Sequence, residues 1–281
     1  MKQWDTVAIV GVGLIGGSIG LALRRRQLAR HVIGIGRRAA SLRAAKRVGA
    51  VTATTLDLAK GAAQAELVVV CTPVGRIVKD VIAAAAASQS GCLITDAGST
   101  KAEIVAALDG RLNGKTHFVG SHPLAGSEKN GPGAASAELF VDRTVVITPT
   151  KTTRAADLAG LAAFWTGLGA NVVSMSAATH DRILAATSHL PHLAASALAA
   201  ATSEEDLPWV ASGWLDTTRV AAGDAELWRQ IFESNRPQLL KALTKYEKTL
   251  AALRRAIERG DEKKLTEILL QAKHKRDAVG S

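Results

Sequence analysis

VAIVGVGLIGGSIG, residues 7–20, decides the fold. An apolar, β-branched run ends at Gly11, and a helical pattern runs over residues 15–26. Between them Gly11, Gly13 and Gly16 stand in GxGxxG spacing. Alone the triplet is a weak signal; between a strand and a helix each glycine has a task. Gly11 lets the chain turn sharply. Gly13 lets the backbone approach a pyrophosphate. Gly16 lets the helix pack close to the strand, and the helix N-terminus faces the phosphates. Leu14 and Ile15 complete this loop. The pattern predicts a dinucleotide site; the plain alternative is a glycine turn kept for packing.

The second strand, HVIGIG, tests which dinucleotide. Its end normally carries an acid that binds the ribose 2′-hydroxyl. Here the chain reads Gly34-Ile35-Gly36-Arg37-Arg38, with no acid. A carboxylate would repel a 2′-phosphate and two arginines attract it, so NADP is expected over NAD. Arg37 is nearer the strand end than Arg38; two solvated loop arginines are the alternative. Thr72 and Pro73, after the strand LVVVC, are assigned to the same cofactor edge.

Outward from this unit the alternation continues. LVVVCTPV, CLITDAGS and HFVGSHPL read as further strands, with helices over 39–48, 77–87 and 101–112. RTVVITPT and NVVSMS, around a helix over 154–168, are expected to extend the same sheet. After residue 177 no strand pattern remains, and helical stretches run over 178–202, 205–221, 224–258 and 261–277. The expected fold is α/β: a Rossmann-type, mostly parallel sheet domain over 1–175, then an all-α helical domain over 176–281. The helices are apolar enough to predict a homodimer through the helical part.

Composition narrows the functions. The chain has 281 residues, 47% hydrophobic, with a net charge of +10. Aromatics are only 4%, and no finger, RNP or basic-zipper pattern occurs, so no nucleic-acid partner is expected. The charge suits an anionic small-molecule substrate and cofactor. Cys71 and Cys92 sit in apolar strands, without metal-ligand spacing, and no metal is expected. No signal segment and no uncharged apolar run of membrane length is read, so a cytoplasmic protein without a membrane partner is expected.

Polar residues then gather where strands stop. In FVGSHPLAGSE, residues 118–128, His122 falls where a strand gives way to a loop, the edge where parallel α/β sheets bind ligands. A loop histidine capping backbone is the competing reading. Ser99, in DAGSTK at residues 96–101, would face the same crevice, and also suits a helix N-cap. THDRILAATSHLPH (179–192) and GWLDTTRVAAGDAELWRQIFESN (213–235) complete the set.

Together these segments resemble the prephenate/arogenate dehydrogenase family of tyrosine biosynthesis. GVGLIGGSIG, D-x-GS-x-K, GSHPLAGSE, SHLPH, and D-x-TR followed by LW-x-x-I-x-x-SN occur in that order over nearly the whole chain. The resemblance implies oxidative decarboxylation: a hydride passes from ring carbon 4 to NAD(P) and carbon dioxide leaves carbon 1. The product is 4-hydroxyphenylpyruvate or tyrosine. It implies His122 as the base for the 4-hydroxyl proton and Ser99 as a hydrogen-bond partner of that hydroxyl or of the nicotinamide side. It implies Arg219 as the carboxylate fork, oriented by Asp216. His192, Ser188, Glu128 and Trp228 would line or gate the substrate pocket, with Glu128 in a glycine-rich loop over 126–136. Pro191 should kink its helix or mark an irregular start. A monofunctional enzyme is expected, with no appended regulatory domain and no mutase segment. The rivals are a hydroxy-acid dehydrogenase of the phosphogluconate or hydroxyisobutyrate type, whose lysine–asparagine pattern Lys241 and Lys245 do not reproduce, and an NADP-binding redox sensor.

Overall fold

The alternation predicted for the first half is present. β1 (Trp4–Val10), β2 (Ala29–Ile35), β3 (Ala53–Thr55), β4 (Leu67–Val70), β5 (Leu93–Asp96) and β6 (His117–Phe118) are parallel, in the order β3-β2-β1-β4-β5-β6. They alternate with α1 (Leu14–Arg25), α2 (Ala39–Arg47), α3 (Leu58–Ala62), α4 (Val74–Ala87) and α5 (Ala102–Leu108). The structure is a computed structural model that describes residues 3–112, 114–127 and 129–280.

Alternate side chains of each central strand enter opposite cores. Val7 and Ile9 of β1 and Leu67 and Val69 of β4 belong to one cluster; Ala8, Val10, Val68 and Val70 belong to the other. Both faces are therefore dry, which is why these strands read as unbroken apolar runs rather than alternating ones. The strand order reverses between β1 and β4, which pair directly. Their ends carry the Gly11 loop and Thr72, so the crevice used by dinucleotides in doubly wound sheets opens there.

The expected extension of this sheet does not occur. HFVGSHPL divides into β6 and β7 (Gly120–Pro123), and β7 pairs with β8 (Thr144–Thr148), which pairs with β9 (Asn171–Ser174), in a separate three-stranded sheet. The β7–β8 pair is antiparallel and β8–β9 parallel, with α6 (Ala155–Gly167) between β8 and β9. Side chains join the two sheets. Thr95 Oγ1 donates to the Val119 carbonyl at 2.7 Å, Ser121 Oγ donates to the Asp96 carbonyl at 2.6 Å, and Trp165 Nε1 donates to Ser121 Oγ at 3.1 Å. Hydroxyls satisfy backbone groups at this seam that a ladder would otherwise pair.

After β9 the chain is helical. α7 (Ala177–Leu184) runs into a π turn (Ala185–His189) and on into α8 (Leu190–Ala201), with Pro191, which cannot donate to the helical ladder, just after the π turn, so the irregularity falls where the proline was expected to mark one. The stretch expected over 205–221 forms a 3₁₀ turn (Glu204–Trp209), α9 (Ser212–Thr218) and a second 3₁₀ turn (Arg219–Ala222). The one expected over 224–258 breaks between α10 (Ala225–Ser234) and α11 (Arg236–Arg259), because the Asn235 side chain turns inward. Two compact units result, Met1–Asn235 and Arg236–Ser281. The second holds α11 and α12 (Glu262–Asp277), joined at Gly260, which takes φ +62°. By length and hydropathy alone Ala177–Ala201 could cross a bilayer. Its His180, Asp181, His189 and His192 are nonetheless buried against protein, and one helix of this kind is a weak sign of a span.

Candidate active site

The nucleotide end is built by close backbone contact. Gly11 adopts φ +95°, and a Cβ there would sit 2.7 Å from the Cys71 carbonyl oxygen. A Cβ on Gly16 would lie 2.0 Å from the Gly11 carbonyl oxygen, so only glycine lets α1 start this near β1. At Gly13 the opposite holds: a Cβ would meet nothing within 4 Å, and no side chain caps α1. The first N–H groups of α1 are left to an anion in that open space. Leu14 and Ile15 are half-buried behind it. At the adjoining strand end Thr72 Oγ1 is buried without a partner, and Pro73 caps α4 from an exposed position. Arg37 and Arg38 are exposed just past β2, and Arg38 is the N-cap residue of α2. An uncapped helix start, an empty cradle and an orphan hydroxyl together fit a dinucleotide.

A chain of hydrogen bonds organises the second cluster. His122 lies half-buried in β7, and its Nδ1 is 2.8 Å from Nε2 of His180 on α7. His180 Nδ1 is 2.7 Å from Asp181 Oδ1. Asp181 also accepts the Lys101 N–H on Oδ1 and the Ala102 N–H on Oδ2, each at 2.8 Å. One carboxylate thus caps α5 and anchors the histidine pair. Burial pushes the Asp181 carboxyl up, but the bonds from His180 and the two amides outweigh it and hold it below its usual range. Burial, with His180, Lys101 and His189 nearby, holds His122 well below the ordinary 6.5. It is a neutral ring, ready to accept a proton.

Ser99 is half-buried in the loop between β5 and α5. It is not the N-cap of α5: that position belongs to Lys101, and the capping oxygens come from Asp181. Beneath the loop Lys101 Nζ pairs with Asp96 Oδ2, both side chains fully buried. Asp96 also accepts the Gly98 N–H at 2.9 Å and the Ser121 N–H at 3.2 Å. Burial lowers the Lys101 pKa, against the opposing pull of Asp96.

The helical side supplies the remaining groups. His192 is buried and stacks on Trp228 of α10, ring centroids 3.6 Å apart and 13° from parallel. Gly223 makes room for this stack: a Cβ there would be 2.7 Å from Trp228 Nε1 and 3.2 Å from His192 Cε1. Trp228 also packs beside the core. Ser188 is half-buried in the π turn. Arg219 and Asp216 are exposed, on the 3₁₀ turn and on α9. Glu128 lies outside the described residues. The far end of its loop is fastened to α1, with Pro132 buried near Gly17 and the Ser136 N–H donating to Ser18 Oγ at 3.0 Å.

His189 and His192 do not converge. His189 turns to Asn235, whose Nδ2 is 3.1 Å from His189 Nδ1 and donates to the Asp181 carbonyl at 2.8 Å. Since Nδ1 accepts, Nε2 carries the hydrogen, and it is buried without a partner. Burial lowers the His189 pKa from 6.5 to about 4. A depressed pKa contributes stability that is fully present above 6.5 and lost as pH falls toward 4. The loss is about 3 kcal/mol. Urea midpoints taken from about pH 7 to about pH 4 should fall more steeply for wild type than for His189→Gln; parallel curves would contradict this.

Sequence reading therefore finds His122, Ser99, His192, Ser188 and Trp228 among buried or half-buried groups. It passes over Asp96, Lys101, His180, Asp181 and Asn235, although each stands inside a segment it singled out.

Comparison with known proteins adds the family. Residues 19–174 match the family model for the prephenate dehydrogenase nucleotide-binding domain, and residues 176–271 the prephenate dehydrogenase dimerization domain. A Bacillus subtilis prephenate dehydrogenase is 33% identical over 98% of this chain and 76% of its own length. A Zymomonas mobilis cyclohexadienyl dehydrogenase is 34% identical over 99% and 97%. The crystal structure of A. aeolicus prephenate dehydrogenase in complex with hydroxyphenyl propionate and NAD+ superposes with a TM-score of 0.90, at 32% identity, over 98% of each chain. With a nicotinamide dinucleotide-binding α/β domain, a helical C-terminal part and motifs spanning both, the chain belongs to the prephenate dehydrogenase family.

Proposed function

We propose that the protein oxidatively decarboxylates prephenate or arogenate, with NADP preferred over NAD. The observation that carries this reading is His122: a neutral ring at the end of a strand, its Nδ1 held by His180 and its strand sewn to Asp96. Bound at the Gly11–Gly16 loop, against Leu14, Ile15, Thr72 and Pro73, a nicotinamide dinucleotide supplies the hydride acceptor. His122 accepts the proton of the 4-hydroxyl, which lets the C4–O bond become a carbonyl. Ser99 hydrogen-bonds the same hydroxyl. Arg219 binds a substrate carboxylate as a planar fork, with Asp216 orienting it. His192 and Trp228 form a flat wall for the ring, Ser188 adds a polar contact, and Glu128 helps to gate the pocket. Loss of carbon dioxide from carbon 1 then makes the ring aromatic.

The match to a dimerization domain supports a homodimer, with the helical part from residue 176 providing the interface. Exposed Leu240, Leu250, Ile257, Leu269 and Leu270 of the second unit suit that role. Sedimentation as a monomer would contradict it.

Absorbance at 340 nm tests the reaction, with prephenate and arogenate each offered NADP and NAD. Turnover in at least one combination is expected; none, from folded protein that binds NADP, overturns the reading. The A. aeolicus enzyme was solved with NAD+. Here Arg37 and Arg38 follow β2, and a charge-assisted bond to a 2′-phosphate is worth about 1.5–3 kcal/mol. Arg37→Asp should therefore weaken NADPH binding about 10- to 100-fold with little change for NADH. Equal loss for both, by nucleotide fluorescence titration, would assign Arg37 a structural role only.

A further inference from the structure

We propose that His180 and Asp181 complete the base at His122, holding it in the tautomer whose Nε2 accepts and taking over the charge once it is protonated. The inference rests on the reading of His122 as the base. It follows from counting donors. Asp181 accepts two backbone N–H groups and lies 2.7 Å from His180 Nδ1, so it is a carboxylate and His180 Nδ1 donates. His180 Nε2 is then the acceptor, and its partner at 2.8 Å, His122 Nδ1, is the donor. That leaves the lone pair of His122 on Nε2. No other neutral assignment satisfies all three links.

The same chain can move a proton. The substrate O–H bond breaks and its proton goes to His122 Nε2. The His122 Nδ1–H bond breaks and that proton goes to His180 Nε2. His122 is neutral again, and the charge rests on His180, against the Asp181 carboxylate. The alternative leaves a cation on His122, which faces Lys101 of the Asp96 pair and His189. His180 is fully buried, so water does not compete for the transferred proton.

The test is His180→Gln, whose amide oxygen can still accept the His122 N–H but cannot hold a proton. The loss in kcat/KM should be about 10- to 100-fold, the scale for removing a group that supports an imidazole. In wild type the acid limb of the pH profile belongs to the histidine pair. In the variant it belongs to His122 alone, beside Lys101 and His189, and should move to lower pH. A proton inventory in mixed H₂O and D₂O should be curved in wild type and linear in the variant. Wild-type kcat/KM with an unmoved acid limb in the variant would reduce His180 to packing. Should the variant not fold, wild type alone decides: a linear inventory, or a ¹⁵N spectrum with His122 protonated on Nε2, overturns the proposal. Absence of turnover by wild type would instead strike the functional reading, which the ¹⁵N tautomer does not depend on.

Discussion

His122→Asn is expected to lower kcat by about 10²–10⁴-fold, the usual contribution of a general base. The asparagine can keep one hydrogen bond toward His180 but has no basic nitrogen to accept a proton. The strand should stand, because β7 is held by its ladder to β8 and by Ser121, not by the imidazole. NADP(H) binding should also stand, since the glycine loop is built from β1, α1 and β4. The informative result is thus lost turnover with retained nucleotide affinity and an unchanged unfolding midpoint. Retained turnover would remove His122 from the chemistry.

The largest effect on stability is expected at Lys101. Its ammonium and the Asp96 carboxylate are both fully buried, and Asp96 fastens Gly98 and Ser121 as well. Lys101→Met leaves that carboxylate buried without its cation, which costs about 3–5 kcal/mol. The urea midpoint should fall with little change in slope. Adding Asp96→Asn should restore much of the loss, because the cost lies in the orphaned charge more than in the missing pair. A single Lys101→Met variant as stable as wild type would show that Asp96 is neutralised by other means. Ser99 lies between the two partners along the chain and Asp96 holds Ser121, the neighbour of His122, so activity should fall with stability.

The α/β core was legible because its signals are local. GxGxxG between a strand and a helix, and apolar strands of uniform character, point to a two-faced parallel sheet with no knowledge of contacts. His122 and Ser99 were legible from where strands stop. The second sheet was not, since nothing local distinguishes an eighth strand that joins a sheet from one that starts another. The choice is made by Thr95, Ser121 and Thr148, whose hydroxyls read as ordinary strand residues. Lys101, Asp96, His180 and Asp181 were passed over for a related reason. A charged residue on a helical pattern or at a strand end reads as solvated, and only tertiary pairing makes it buried. The π turn is equally silent, for AATSH has no residue that forbids an ordinary helix.

That turn has a geometric result of its own. An α-helix advances about 100° per residue, so His180 and His192, twelve positions apart, would point about 120° away from each other on an unbroken helix. A π turn absorbs one extra residue. The angular phase between the two rings then falls to about 20°, and one side of a single rod can present both. His189, which would point away from His180 altogether, comes to within about 80°. The helix from Ala177 to Ala201 therefore works as two gears on one shaft, offset by a tooth. Were residues 185–189 wound as ordinary α-helix with none removed, the phase would return to about 120° and turn His192 off the side that His180 faces, although every side chain named here would still be present.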